Sequence, residues 1–115
     1  MKNRSKYFLA EFIGSCFLVM IIVGSGLMAE NLTNDTAVML IANTIATGAG
    51  LFVLITAFAD ISGAHFNPFV SIAMTLTGKL KKELLIYYVV AQIFGCLVGV
   101  GSVSYTHLTL PTKWI

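Results

Sequence analysis

The sequence predicts an all-α membrane protein, and three observations carry that reading. Of its 115 residues 57% are hydrophobic and only 10% are charged, whereas a soluble domain averages about 25% charged residues. Apolar runs at residues 8–28, 38–58 and 84–102 are each long enough to cross the roughly 30 Å hydrocarbon core of a bilayer as a helix. The charges are clustered as well: Lys2, Arg4, Lys6, Lys79, Lys81 and Lys82 are six of the seven basic residues, and they occupy two short stretches. A chain of this length makes one small domain whose solvent is lipid.

The first run, FLAEFIGSCFLVMIIVGSGLM, holds a single charge, Glu11. Lys2, Arg4 and Lys6 precede it as they would a secretory signal, but the apolar core of such a signal is about 7–15 residues, shorter than this run. The second run, VMLIANTIATGAGLFVLITAF, has no charge, and the third completes a set of three spans. Between the second and third lies NPFVSIAMTLT, residues 67–77, which as a helix at 1.5 Å per residue reaches only about halfway through a bilayer. Its helix signals are clear: Asn67 suits the N-cap, Pro68 the first helical position, and Gly78 the position that ends the helix.

Charge sets the topology. By the positive-inside rule the N-terminus and the GKLKKE segment are both cytoplasmic, while ENLTNDTA, with Glu30 and Asp35, faces the other side. Two spans already return the chain to the cytoplasm, so residues 60–78 must enter and leave by the same face, as a re-entrant loop. Irregular backbone survives at membrane depth only where protein or a water-filled cavity satisfies it, so this loop reads as a pore lining.

Within ISGAHFNPFVSIAM, residues 61–74, Asn67 places an amide and free backbone N–H groups at the positive end of the half-helix dipole. Such a site donates to polar solutes and repels cations. The preceding Ser62, Gly63, Ala64 and His65 are expected to be non-helical, with small side chains that let backbone carbonyls face a lumen. The bland alternative is a capped helix packed against its neighbours, with His65 satisfied by a backbone group.

The stretch SGAHFNPFVS resembles the first signature of the major intrinsic protein family, the aquaporins and glycerol facilitators, normally SGAHxNPA followed by Val. AEFIG at residues 10–14 resembles the family's first-helix motif, and AQIFG at 91–95 its third-helix Gln motif. The resemblance covers residues 7 to about 101 and implies an aquaporin-like half repeat: three spans plus one re-entrant half-helix. In the family this unit occurs twice, inverted, and two Asn-bearing half-helices meet at the pore centre. Carried onto this chain, Asn67 would be the central donor and the carbonyls of Gly63, Ala64 and His65 would line the cytoplasmic half. Glu11 would brace the loop through backbone N–H groups, Pro68 would start the half-helix, and Gln92 would tie the third span to the loop. Phe69 departs from the pattern, because Ala at that position allows close contact between the two half-helices.

The resemblance also places one selectivity residue about twenty positions before the motif Asn, at Thr47. A small polar residue there, where strict water channels carry a bulky aromatic, implies an opening that admits glycerol, urea or metalloid hydroxides as well as water. With Ala46, Gly48, Ala49 and Gly50 around it, Thr47 could equally serve close helix packing alone.

The expected function is therefore a passive channel for small uncharged solutes, with the lipid bilayer as partner and no nucleic acid. The expected location is the plasma (inner) membrane, N-terminus cytoplasmic, and by resemblance the complete protein is a homotetramer. A non-channel membrane scaffold with a packed loop is the alternative. No cofactor or metal is implied, since Cys16 and Cys96 sit isolated within apolar runs. An enzyme is not expected, because Glu11, Asp60 and His65 form no HExxH, no Gly-flanked Ser nucleophile and no carboxylate pair.

Residues 103–112, VSYTHLTLPT, leave the family pattern abruptly. They match, codon by codon, one reading frame of the common transposase sequencing adapter GTCTCTTATACACATCTGACGCTGCCGACG. The expectation is that residues 1–102 are the N-terminal repeat of a longer channel and are inactive alone. Residues 103–115 are then a poorly packed, non-native tail in which His107 and Trp114 have no function.

Overall fold

In the computed structural model, which describes residues 2–109, the chain forms four helices and no strand among those residues. They are α1 (Lys2–Leu32), α2 (Thr36–Ser62), α3 (Pro68–Leu76) and α4 (Lys82–Thr109). α1, α2 and α4 are long and apolar enough to cross a membrane, whereas the nine residues of α3 are not.

The helix ends follow local chemistry. Asp35 caps α2, its carboxylate accepting from the backbone N–H groups of Ala37 and Val38 at 2.9 and 3.4 Å. Asn67 caps α3 from an extended conformation, its side chain accepting from the Phe69 N–H, and Pro68 follows where a missing N–H costs nothing. α3 closes with Gly78 at φ +83°. There the Lys79 N–H bonds the Met74 carbonyl at 2.9 Å and the Gly78 N–H bonds that of Thr75 at 3.2 Å, a left-handed closure that favours glycine.

One expectation about a boundary is corrected. Ser62 was expected outside any helix, yet it is the last residue of α2, because the helix continues until Gly63 turns left-handed at φ +90°. α4 runs on past the third apolar run, to Thr109. The side chain of His107 and all of Trp114 lie outside the described residues.

α1 packs against both α2 and α4. Against α4 the approach is backbone to backbone: a Cβ on Gly95 would lie 2.5 Å from the Phe12 carbonyl oxygen, and one on Gly99 would lie 2.6 Å from that of Cys16. This GxxxG pair is what lets the two helices touch.

Polarity is inverted relative to a soluble fold. Glu11, Ser15, Ser62, Ser71 and Gln92 are buried, while Leu40, Ile41, Ile45, Phe52 and Val53 of α2 stand exposed. A lipid solvent produces this arrangement, since polar groups must find partners inside the protein.

Candidate functional site

Four of the buried polar residues, Glu11, Ser62, Ser71 and Gln92, converge on the five residues between α2 and α3. Glu11, completely buried, accepts four hydrogen bonds. At Oε2 these come from the Ser62 hydroxyl (2.6 Å) and the His65 N–H (3.2 Å), and at Oε1 from the Phe66 N–H and Gln92 Nε2 (both 2.8 Å). One carboxylate on α1 thereby joins the end of α2, the connecting loop and α4. A buried charge is costly unless it is hydrogen-bonded, and here both oxygens are doubly engaged.

The loop needs such support. Ala64 and Phe66 adopt φ of 55° and 54°, a region where non-glycine residues carry about 1–3 kcal/mol of strain each and persist only when their surroundings over-determine them. Glu11 pins the N–H groups of His65 and Phe66. The Phe66 ring is buried edge-on against Phe58, with centroids 6.0 Å apart. It lies over Gly14, where a Cβ would collide with it. Tyr88 donates from its hydroxyl to the Ser62 carbonyl at 2.6 Å, and its ring lies 4.9 Å from that of His65.

His65 lies in the loop, outside the three long helices. Its Nδ1 is 3.0 Å from the Ser71 hydroxyl, which also accepts from Gln92 Nε2 at 2.9 Å. Burial draws the imidazole below its ordinary pKa against the opposing pull of Glu11. Asn67 is exposed. Its Oδ1 is held by the Phe69 N–H, which leaves the amide Nδ2, a pure donor, at the N-terminus of α3 without a partner among the described residues.

A cavity of about 770 Å³ opens at one end of the bundle, lined by Arg4, Ile61, Gly63, His65, Lys79 and Tyr88 among others. Ile61 precedes the loop and Lys79 follows α3, so the chain leaves and regains the same end of the bundle, alongside the basic N-terminal segment.

Of the residues the sequence singles out, Glu11, Gly63, Ala64, His65, Asn67, Pro68 and Gln92 belong to this cluster or its helix cap. Thr47 does not: it sits half-exposed in mid-α2 and does not line the cavity. Phe69 is 81% exposed on the first turn of α3. Ser71 and Tyr88 were not anticipated. For Tyr88 a signal existed, since it lies one turn before Gln92 on the same face of an apolar helix. For Ser71 there was only its place one turn after Asn67.

A sequence model of the Major intrinsic protein family matches residues 1–112. Among curated proteins, the chain is 50% identical over 102 residues to Aquaglyceroporin AqpS of Rhizobium meliloti (strain 1021), covering 89% of this chain and 43% of that protein. It is 36% identical over 96 residues to Aquaporin A of Dictyostelium discoideum, covering 84% of this chain and 34% of that protein. With Aquaporin-8 of Rattus norvegicus the identity is 42% over 89 residues, covering 77% of this chain and 32% of that protein. The chain thus spans less than half the length of each of these relatives.

Proposed function

From the premise that this chain belongs to the major intrinsic protein family of membrane channels, we propose that it forms the N-terminal repeat of a passive channel for small uncharged solutes. The observation that carries this reading is the fixed Asn67 amide. Its oxygen is taken by the helix cap, and its Nδ2, without a partner among the described residues, is left as a donor at the positive end of α3. Donors at a helix N-terminus receive a polar solute that has shed water and disfavour cations.

Gly63 and Ala64, left-handed at φ 90° and 55°, and His65, whose N–H Glu11 accepts, supply the acceptors that lead to Asn67. Glu11, Pro68 and Gln92 are the supports of that arrangement. Thr47 contributes a small residue to the constriction of the complete pore, which favours glycerol, urea or metalloid hydroxides in addition to water. The complete protein works as a homotetramer in the plasma membrane with its N-terminus cytoplasmic, consistent with Arg4, Lys79 and the loop's two ends gathered at one cavity. Three spans and one half-helix do not enclose a lumen, so the 115 residues alone are expected to leave liposome permeability at the lipid control.

Asn67→Asp tests the reading, in a complete channel whose N-terminal repeat is residues 1–101 of this chain. Asp is as good an N-cap as Asn, so folding is retained while the donor amide becomes a carboxylate. Neutral-solute flux should fall several-fold and cation leak should rise. Unchanged solute and ion permeability, with normal membrane insertion, would support the packed-scaffold alternative instead.

A further inference from the structure

The chain of hydrogen bonds that ends at His65 has a direction, and the direction is fixed by chemistry at its far end. Glu11 offers only acceptors to Gln92. Gln92 must therefore turn its NH₂ toward Glu11 Oε1, because the opposite orientation would set an amide oxygen against a carboxylate oxygen 2.8 Å away. The same NH₂ reaches the Ser71 hydroxyl at 2.9 Å, so both of its hydrogens are committed and Ser71 Oγ is an acceptor there. The cost is visible in Gln92 Oε1, which is buried without a partner among the described residues.

The Ser71 hydroxyl then has one hydrogen left to place. Thr56, Thr75 and Thr77 turn their hydroxyls back onto the carbonyl four residues earlier. The completely buried Ser71 makes no such bond among the described residues, and its remaining partner is His65 Nδ1 at 3.0 Å. A neutral imidazole has one N–H and one bare nitrogen, and the nitrogen that accepts determines which one carries the proton. The hydrogen from Ser71 makes Nδ1 the acceptor, and the ring proton falls on Nε2.

We propose that Ser71 is a positioning residue which, oriented by Gln92, holds His65 in its Nε2–H form and so presents a fixed hydrogen-bond donor at the wall of the 770 Å³ cavity. As part of a pore this rests on the channel reading above; the tautomer itself does not. His65 Nε2 has no partner among the described residues and lies beside Gly63, where a Cβ would come within 3.1 Å of it. Glycine at 63 therefore serves the turn at φ +90° and also leaves Nε2 uncovered. The cavity wall then carries an Nε2–H donor at His65, and two residues further on, outside that lining, the Asn67 amide is a second donor at the head of α3. A solute that accepts hydrogen bonds, such as water or a polyol oxygen, finds one donor at the middle of the five-residue turn and another at its end, and neither donor is free to reverse its polarity.

The test is ¹⁵N nuclear magnetic resonance of the histidine-labelled 115-residue chain in lipid bilayers. His107→Gln removes the other imidazole of the two in the sequence. The expected spectrum has a protonated Nε2 and a bare Nδ1 carrying the shift of a hydrogen-bond acceptor, in a single tautomer. Ser71→Ala should remove that shift and give a tautomer mixture, and Ser71→Thr, which restores a hydroxyl, should return the wild-type pattern. A protonated Nδ1 in the unsubstituted chain overturns the proposal without any variant. So does a Ser71→Ala spectrum indistinguishable from wild type. Neither readout requires conduction, so a failure of the channel reading in flux assays leaves this result standing, and the reverse is equally true.

Discussion

Replacing Glu11 by Gln is the most informative single change, because the four bonds to this side chain are not equivalent. A glutamine keeps one acceptor oxygen and turns the other position into an NH₂. The favourable orientation leaves the oxygen at the Oε1 site, where the Phe66 N–H and Gln92 Nε2 both donate at 2.8 Å. The NH₂ then falls at the Oε2 site, facing the Ser62 hydroxyl and the His65 N–H. The hydroxyl can rotate to accept, but the His65 N–H cannot, so one backbone donor is left unsatisfied in the interior. That costs about 1–3 kcal/mol, which at about 1.4 kcal/mol per tenfold is roughly a 5- to 150-fold change in a local opening equilibrium. Site-resolved amide hydrogen exchange of the chain in bilayers reads such openings. The His65 amide should exchange faster by that factor in Glu11→Gln, while the Phe66 amide keeps most of its protection. If the His65 amide exchanges as in wild type, or if the two amides lose protection equally, Glu11 does not hold the loop in the way argued.

Other changes probe separate parts of the account. Gly95→Ala forces a methyl against the Phe12 carbonyl oxygen 2.5 Å away and should destabilise the α1–α4 contact by about 1–3 kcal/mol. Gly24→Ala, which meets nothing within 4 Å among the described residues, should be neutral or stabilising by up to about 1 kcal/mol. Detergent unfolding midpoints of the two variants separate them, and equal shifts would refute the close-packing argument. In a complete channel Thr47→Phe should reduce glycerol or metalloid uptake more than water flux, and equal loss of both with normal insertion would remove Thr47 from the constriction. A cysteine at residue 33 should react with an impermeant thiol reagent from outside the cell and one at residue 80 should not, whereas labelling of both from one face would contradict the proposed orientation.

Most of the fold is legible in the sequence because lipid imposes coarse rules. Hydropathy and length mark the three long helices, and a run too short to span, bounded by Asn67-Pro68 and Gly78, marks α3. Helix ends are less visible. Ser62 was expected to be non-helical with the three residues after it, yet it closes α2 and its hydroxyl meets a buried carboxylate. The site divides along the same line. Glu11 and Gln92 stand out as polar residues in apolar runs, but they are 81 positions apart, and only the α1–α4 contact through Gly95 and Gly99 brings them together. Ser71 and Tyr88 carry no such mark, since a Ser or Tyr in a membrane helix is ordinary and acquires meaning only from what it faces. Thr47, named by the family resemblance, sits in mid-α2 and does not line the cavity beside the loop.

The central claim is that this loop and half-helix form one half of a passive pathway for neutral solutes. Its most direct measurement is stopped-flow light scattering of proteoliposomes containing a complete channel built on residues 1–101, under glycerol and sucrose gradients, with ionic current recorded in parallel. The account predicts water and glycerol permeability above the lipid control with no ionic conductance. Correctly inserted protein that leaves both permeabilities at the control value, or that passes ions, would contradict it.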